Sequence, residues 1–355
     1  MCEIASFYKG KKVLVTGHTG FKGTWLCEIL FMLGAEVTGY ALEAPTKPSL
    51  FELSGLKKHI NSIHSDVRDL EHLKKVCMDI QPEIVIHLAA QPIVRESYRN
   101  PVYTYETNIM GTVNMLECVR LTPSVKSFLN VTTDKVYQNQ EQKQGYYETD
   151  ILNGYDPYSN SKSCSELVTD SYKKSFFGDR DVAISTARAG NVIGGGDFAL
   201  DRIIPDCVRA IEKESDIVIR NPYSIRPYQH VLDALFAYLK IAEMQYKDKQ
   251  YEGNYNIGPK DEDCLTTGEL VTLFCKKWKE KTQKEVTWVN KSDKGPYEAT
   301  FLKLNCMKMR ETFGWNPKWN IEMAIEKVVE WSDAYFNHCD IEECMQKQIR
   351  EFMRL

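Results

Sequence analysis

Tyr158 and Lys162 stand four residues apart in Tyr158-Ser159-Asn160-Ser161-Lys162. On a helix that spacing sets a phenol and an ammonium on one face. A nearby positive charge favours the phenolate, so the tyrosine can take a proton from an alcohol while a hydride leaves the same carbon. Upstream lies Thr132-Thr133-Asp134-Lys135, where hydroxyl, carboxyl and amine follow one another. Tyr-x-x-x-Lys alone recurs by chance. The hydroxyl-rich stretch before it, and a glycine-rich loop near the N-terminus, give it weight.

The elements that must hold these groups can be read in order. Residues 12–16 (KVLVT) form a short apolar run, expected to be a buried parallel strand. Gly17-His18-Thr19-Gly20-Phe21-Lys22-Gly23 follows, and then a helical pattern carrying Trp25, Leu26, Ile29, Leu30 and Leu33. Strand, glycine turn and helix in that order can seat a pyrophosphate on the positive helix N-terminus. The spacing is G-x-x-G-x-x-G, not G-x-G-x-x-G. Residues 36–40 (EVTGY) read as a second strand. Its end carries neither an acid nor an arginine at the tip, and the lack of a basic residue leans toward NAD over NADP.

Residues 61–66 (NSIHSD) read as a third strand ending at Asp66-Val67. Asp66 suits either an adenine amino group or the cap of a helix over 70–80. Residues 83–88 (EIVIHL) form a fourth strand, running into Leu88-Ala89-Ala90-Gln91, a small-residue loop that lets a cofactor lie close. A helix is expected over 101–121, with Asn108 either bracing backbone beneath the site or simply a satisfied polar residue. Residues 127–131 (SFLNV) form a fifth strand. Thr132, Thr133, Asp134 and Lys135 should emerge from its C-terminal end, where open α/β sheets bind ligands. Pro157 starts the helix of Tyr158 and Lys162. Residues 181–187 form a sixth strand, leading into a second glycine-rich crossing at Gly194-Gly195-Gly196.

Beyond residue 194 the alternation breaks up, and short strands at 216–220 and 253–258 mix with helices at 231–245 and 267–279. The expected fold is α/β: a Rossmann-type, doubly wound parallel sheet over 1–193, to which some later segments return. A smaller substrate-binding α/β portion covers most of 194–355. No Pro/Ser-rich linker separates them.

Composition narrows the function classes. The chain has 355 residues, 43% apolar and 26% charged, which are ordinary globular values. A net charge of -4 makes no electrostatic case for nucleic acid or an anionic membrane. Eleven cysteines lie scattered without C-x-x-C pairs, which fits reduced thiols in a cytoplasmic enzyme better than disulfides or a metal site. No apolar run is long enough to span a bilayer, and the first ten residues are not signal-like.

Together these stretches resemble the extended short-chain dehydrogenase/reductase family over essentially the whole chain. The carriers are Gly17 to Gly23, His87-Leu88-Ala89-Ala90, and Tyr158 to Lys162. Within it the chain is similar to the nucleotide-sugar 4,6-dehydratases. Pro48-Ser49-Leu50-Phe51-Glu52-Leu53, Thr132 to Tyr137, and Gly314-Trp315-Asn316-Pro317 carry that narrower likeness. Thr133-Asp134-Lys135 resembles the branch acting on CDP-glucose; related branches carry an acid in the third place, and epimerases small residues.

The resemblance implies NAD as a recycled cofactor and CDP-glucose as substrate, with no nucleic acid or membrane partner. It also implies a homodimer, or a dimer of dimers, through a bundle that includes the Tyr158 helix. The cofactor would meet Gly17, Thr19, Gly20, Phe21, Lys22, Gly23, Asp66, Val67, Leu88, Ala89, Ala90, Gln91, Asn108, Thr132, Tyr158 and Lys162. Tyr158 would take the 4-hydroxyl proton, with Lys162 lowering its pKa and Thr133 aligning the 4-oxygen. Lys135 would then remove the C5 hydrogen while Asp134 protonates the departing 6-hydroxyl. For that, Lys135 must fall from ~10.4 and Asp134 must rise. A salt bridge would shift both the wrong way, so the two are expected to point apart or to be screened by substrate. Asn191, Arg202, Arg220, Arg226 and Tyr297 are the candidate substrate residues, the arginines suiting a diphosphate. Two rivals remain open: another nucleotide-sugar enzyme of this fold, including a 4-epimerase, and a non-catalytic NAD-binding protein.

Overall fold

The computed structural model describes residues 2–142, 144–291 and 301–354. Seven parallel strands make the central sheet: β1 (Lys12–Thr16), β2 (Glu36–Ala41), β3 (Asn61–His64), β4 (Ile84–His87), β5 (Ser127–Thr133), β6 (Ala183–Ala189) and β7 (Asn254–Ile257). Their spatial order is β7-β6-β5-β4-β1-β2-β3. The order reverses between β1 and β4, so the crevice opens at the C-terminal ends of these strands.

Alternation along the strands sends side chains to two cores. Val13, Val15, Ile84, Ile86, Leu129 and Val131 pack with Trp25, Ile29 and Leu30 of helix Phe21–Met32 and with Leu232, Leu235 and Leu239 of helix Val231–Lys247. Leu14, Val85, Phe128 and Ile184 face the other way, onto Leu73 and Val76 of helix Leu70–Ile80 and Met115 and Val119 of helix Gly111–Leu121. A third core joins helices Ile203–Glu212, Thr267–Thr282 and Ile321–Phe336 through Ile204, Leu270, Phe274, Ile325 and Val328. Burying each such side chain is worth roughly 1.5–3 kcal/mol. The strand ends thus sit on a rigid base, with the third core beside them.

Several boundaries differ from the sequence reading. β5 runs through Thr133, because Thr132 and Thr133 pair with Arg188 and Ala189 of β6. They belong to the strand instead of emerging from it. β3 stops at His64, two residues before Asp66. The expected helix over 101–121 is broken by a π-helical turn, Glu106–Met110, which contains Asn108. Helix Val231–Lys247 and strand β7 lie against the main sheet, β7 as its edge beside β6.

Candidate functional site

The first turn is shaped for close approach by a ligand. Gly17 has φ +79°, and a Cβ there would lie 2.9 Å from the Ala89 nitrogen. A Cβ on Gly23 would lie 2.1 Å from the Gly17 oxygen. Gly20 caps helix Phe21–Met32 without a side-chain bond, so the helix N-terminus keeps donors for an anion. Thr19 is tied to the Leu42 carbonyl at 2.9 Å. Across the turn, the Leu88 and Ala89 amides both donate to Thr16 Oγ1 at 3.2 Å. These residues fit a dinucleotide's pyrophosphate.

Asn108 braces the neighbouring loop. Its Oδ1 accepts from the Gln91 amide at 2.8 Å, and its Nδ2 donates to Ser161 Oγ at 2.8 Å and to the Gln91 carbonyl at 3.1 Å. That bracing selects the first of the two roles read for it. It also accounts for the π turn, where an inserted side-chain network replaces regular helix bonds. Asp66 is not the helix cap: Asp69 is, accepting from the His72 amide at 3.1 Å. Asp66 is instead paired with Arg68 at 2.8 Å. Val67 packs in the core against Gly111.

Tyr158 sits at the start of helix Pro157–Phe176, where Asp156 caps and Pro157 occupies the first turn. Tyr158 is 9% exposed and lines the same cavity as Thr133. Burial pushes its phenol up to about 12, against the pull of the Thr133 side chain and the Arg202 charge. Lys162 lies one turn further along the helix, and its ammonium donates to the Val131 carbonyl of β5 at 3.2 Å. Burial lowers it to about 8, with Glu166 opposing. Tyr158 is therefore a phenol at neutral pH, and Arg202 supplies a charge that favours phenolate.

The Thr133–Lys135 group is compact. Thr133 donates to Asp134 Oδ1 at 2.9 Å. One hydroxyl hydrogen cannot serve Asp134 and a phenolate together, and here it serves Asp134. Asp134 and Lys135 do not point apart: they form a loose ion pair, Nζ to Oδ1 3.8 Å, because both lie in the short turn Asp134–Val136. The side chain of Asp134 is 1% exposed and that of Lys135 32%. Asp134 Oδ2 is buried without a hydrogen bond and faces Gly190.

A cavity of about 340 Å³ joins these groups to Lys22, Asn191, Arg202, Arg220 and Arg226. Burial lowers the Lys22 ammonium to about 7, helped by the Arg202 and Lys162 charges. Phe21 packs near Gly194 at the mouth. Arg202 pairs with Asp197 at 3.0 Å and Arg220 with Asp201 at 2.6 Å. Arg226 is 7% exposed and donates to the Ile225 carbonyl. Tyr297 lies outside the described residues. The hydroxyl of Thr132 is turned away from the cofactor side, to Glu166.

Two features escaped the sequence reading. Arg95, from helix Val94–Arg99, also lines the cavity and meets Asp201 at 3.6 Å. Its only signal was a cation placed just after the small-residue loop. Glu166 and Arg188 form an ion pair of 2.8 Å, each side chain 1% exposed. An arginine inside a strand whose residues are all buried, and a glutamate one more turn beyond Lys162, were the signals there.

A family model described as GDP-mannose 4,6 dehydratase matches residues 14–328. The chain is 44% identical over 354 residues to a CDP-glucose 4,6-dehydratase of Salmonella typhimurium, covering 98% of each. It is 26% identical to a dTDP-glucose 4,6-dehydratase of Escherichia coli, covering 90% of this chain and 92% of the other. Among solved structures, a dTDP-glucose 4,6-dehydratase from Bacillus anthracis in complex with NAD aligns with a TM-score of 0.76 at 21% identity, over 93% of this chain and 99% of that one. An epimerase of Methanothermobacter thermautotrophicus aligns at 0.81 and 22% identity, over 98% and 97%. Those structural likenesses establish the Rossmann-type fold, while the family match and the full-length 44% identity place the chain in the GDP-mannose 4,6 dehydratase family.

Proposed function

We propose that this protein is a hydro-lyase that converts CDP-glucose to CDP-4-keto-6-deoxyglucose and water, using NAD that is regenerated within each turnover. The observation that carries the reading is one cavity in which Tyr158 and Thr133 stand beside the Asp134–Lys135 pair. An epimerase needs the first group and has no use for the second. The extensive identity to the Salmonella protein supports CDP as the nucleotide.

NAD, when bound, supplies the hydride acceptor at C4 and the hydride donor at C6. The turn of Gly17, Gly20 and Gly23 and the loop Leu88 to Gln91 would hold it, with Lys162 beneath. Tyr158 must first lose its own proton; as phenolate it then takes the 4-hydroxyl proton and becomes a phenol, with the Thr133 hydroxyl available to align the 4-oxygen. Lys135 then removes the C5 proton, made acidic by the C4 ketone. With the Lys135–Asp134 proton on the acid, so that Lys135 is neutral and Asp134 protonated, Asp134 gives it to the departing 6-hydroxyl and water leaves; Lys135 returns the C5 proton once C6 has been reduced. The 3.8 Å between Lys135 and Asp134 exceeds hydrogen-bond length, so the sugar can separate the two. Asn191, Arg202, Arg220 and Arg226 would hold the nucleotide diphosphate.

We place the enzyme in the cytoplasm as a homodimer. No described helix is long and apolar enough to cross a membrane, and the cysteines with described side chains are free thiols. Exposed Val102, Met110, Leu167 and Phe176, on the Pro101–Met110 stretch and the Tyr158 helix, support a helical dimer face.

The test is mass analysis of products after incubation with NAD and, in parallel, CDP-, dTDP- and UDP-glucose and GDP-mannose. Loss of water from CDP-glucose alone is expected. Water loss from another nucleotide sugar would overturn the specificity. An isomer of unchanged mass would favour the epimerase, and no conversion at all the binding protein.

A further inference from the structure

We propose that Glu166 and Arg188 are positioning residues that clamp the Thr133–Lys135 turn at both ends and fix it against the Tyr158 helix. The proposal rests on the dehydratase reading. Before the turn, Thr132 donates to Glu166 Oε1 at 2.5 Å. After it, the Tyr137 hydroxyl accepts from Arg188 at 2.8 Å and donates to Asn256 Oδ1 at 2.6 Å. Glu166 Oε2 closes the circuit, accepting from Arg188 at 2.8 Å and from Thr186 at 2.7 Å. The four residues between Thr132 and Tyr137 are those with the hydroxyl, acid and base, so the clamp encloses the chemistry.

The same carboxylate ties the turn to the other catalytic element. Tyr158, Lys162 and Glu166 recur every four residues, one above another on the helix. Arg188 faces Thr132 across the β5–β6 pairing. Oxidation at C4 uses the helix and elimination uses the strand end. A single buried pair sets the distance between them, and misplacement by an ångström is costly to such geometry. A pair kept for stability alone would be hard to explain, because apolar replacements of buried ion pairs are often neutral or stabilising.

The Thr132→Val variant breaks the grip at one end with almost no change in shape, and Thr132→Ser keeps it. We expect Thr132→Val to lower kcat for dehydration about tenfold per folded molecule, with KM for CDP-glucose changed less than about threefold. Quenched turnovers should contain more CDP-4-ketoglucose relative to the 6-deoxy product, because elimination is slowed more than oxidation. Thr132→Ser should restore both values. Tyr137→Phe, which frees the other end, should move the same ratio in the same direction. Unchanged kcat and an unchanged product ratio in both folded variants would overturn the proposal, as would a loss explained wholly by a lower melting temperature. Wild-type protein that dehydrates none of the sugars would instead sink the reading on which the proposal stands.

Discussion

Replacing Thr133 by valine removes one hydroxyl from the centre of the site and little else. That hydroxyl donates to Asp134 Oδ1 at 2.9 Å and lines the cavity with the Tyr158 phenol. Thr133 is 6% exposed, so water does not readily take its place. Burial already holds Tyr158 near 12, and the Thr133 side chain is a main influence pulling it down. A hydrogen bond to a charged group is worth about 1.5–3 kcal/mol, which at the transition state is roughly 10- to 150-fold in rate. Thr133→Val should therefore lower kcat for dehydration of CDP-glucose by that factor at saturating substrate and NAD. KM should move little, because the hydroxyl acts on Tyr158 and the reacting oxygen and not on the nucleotide. Thr133→Ser should stay within about threefold of wild type. The assay is product formation by mass analysis between pH 6 and 9. A valine variant as fast as the serine variant would refute the action of this hydroxyl on Tyr158 and the reacting oxygen.

Lys135→Ala should leave oxidation at C4 and stop elimination. Quenched mixtures would then hold CDP-4-ketoglucose without the 6-deoxy product, and normal product formation would remove Lys135 as the base. Lys162→Met should abolish turnover yet raise the melting temperature at pH 7. Burial depresses this ammonium to about 8, so the folded chain binds its proton less readily than the unfolded chain does. The stability gain should shrink as pH rises from about 8 towards 10.5, since the unfolded lysine alone stays charged there. Arg226→Ala should raise KM for CDP-glucose about tenfold or more with a smaller change in kcat; an unaltered KM would deny it the diphosphate. Asp233 is pushed up from 3.8 to about 7 by burial, despite the Lys318 and Trp319 amides that hold it. Its contribution to stability is full below about pH 4 and is lost as pH rises through 7. Asp233→Asn should thus raise the melting temperature at pH 8 and not at pH 4, as calorimetry can decide.

Much of this arrangement was legible because parallel strands buried on both faces tend to be apolar runs, as β1 and β4 largely are. Tyr158 and Lys162 were legible from helical spacing. The direction in which Lys162 reaches was not, since spacing puts two side chains on one face without saying which carbonyl of β5 competes for the ammonium. Thr132 and Thr133 read as emerging just beyond the strand, yet pairing with β6 holds them in it. The Glu166–Arg188 pair joins two elements whose proximity depends on the packed sheet. The closing edge strand β7 comes from far along the chain, where local pattern gives no hint of its neighbour β6.

The walls of the cavity carry six cations, Lys22, Arg95, Lys135, Arg202, Arg220 and Arg226, against five carboxylates, Asp134, Asp156, Asp197, Asp201 and Asp206. The vestibule is therefore nearly neutral, although it is built to receive a doubly charged group. Stray phosphate meets guanidinium groups whose appetite Asp197 and Asp201 have already met. Entry becomes an ion exchange inside the protein, in which an incoming diphosphate must evict a resident anion. Only a ligand that brings a base and a sugar, and so adds contacts of other kinds, gains enough to complete the exchange. Selectivity against simple anions follows from internal competition, and it should persist at ionic strengths that would erase long-range attraction.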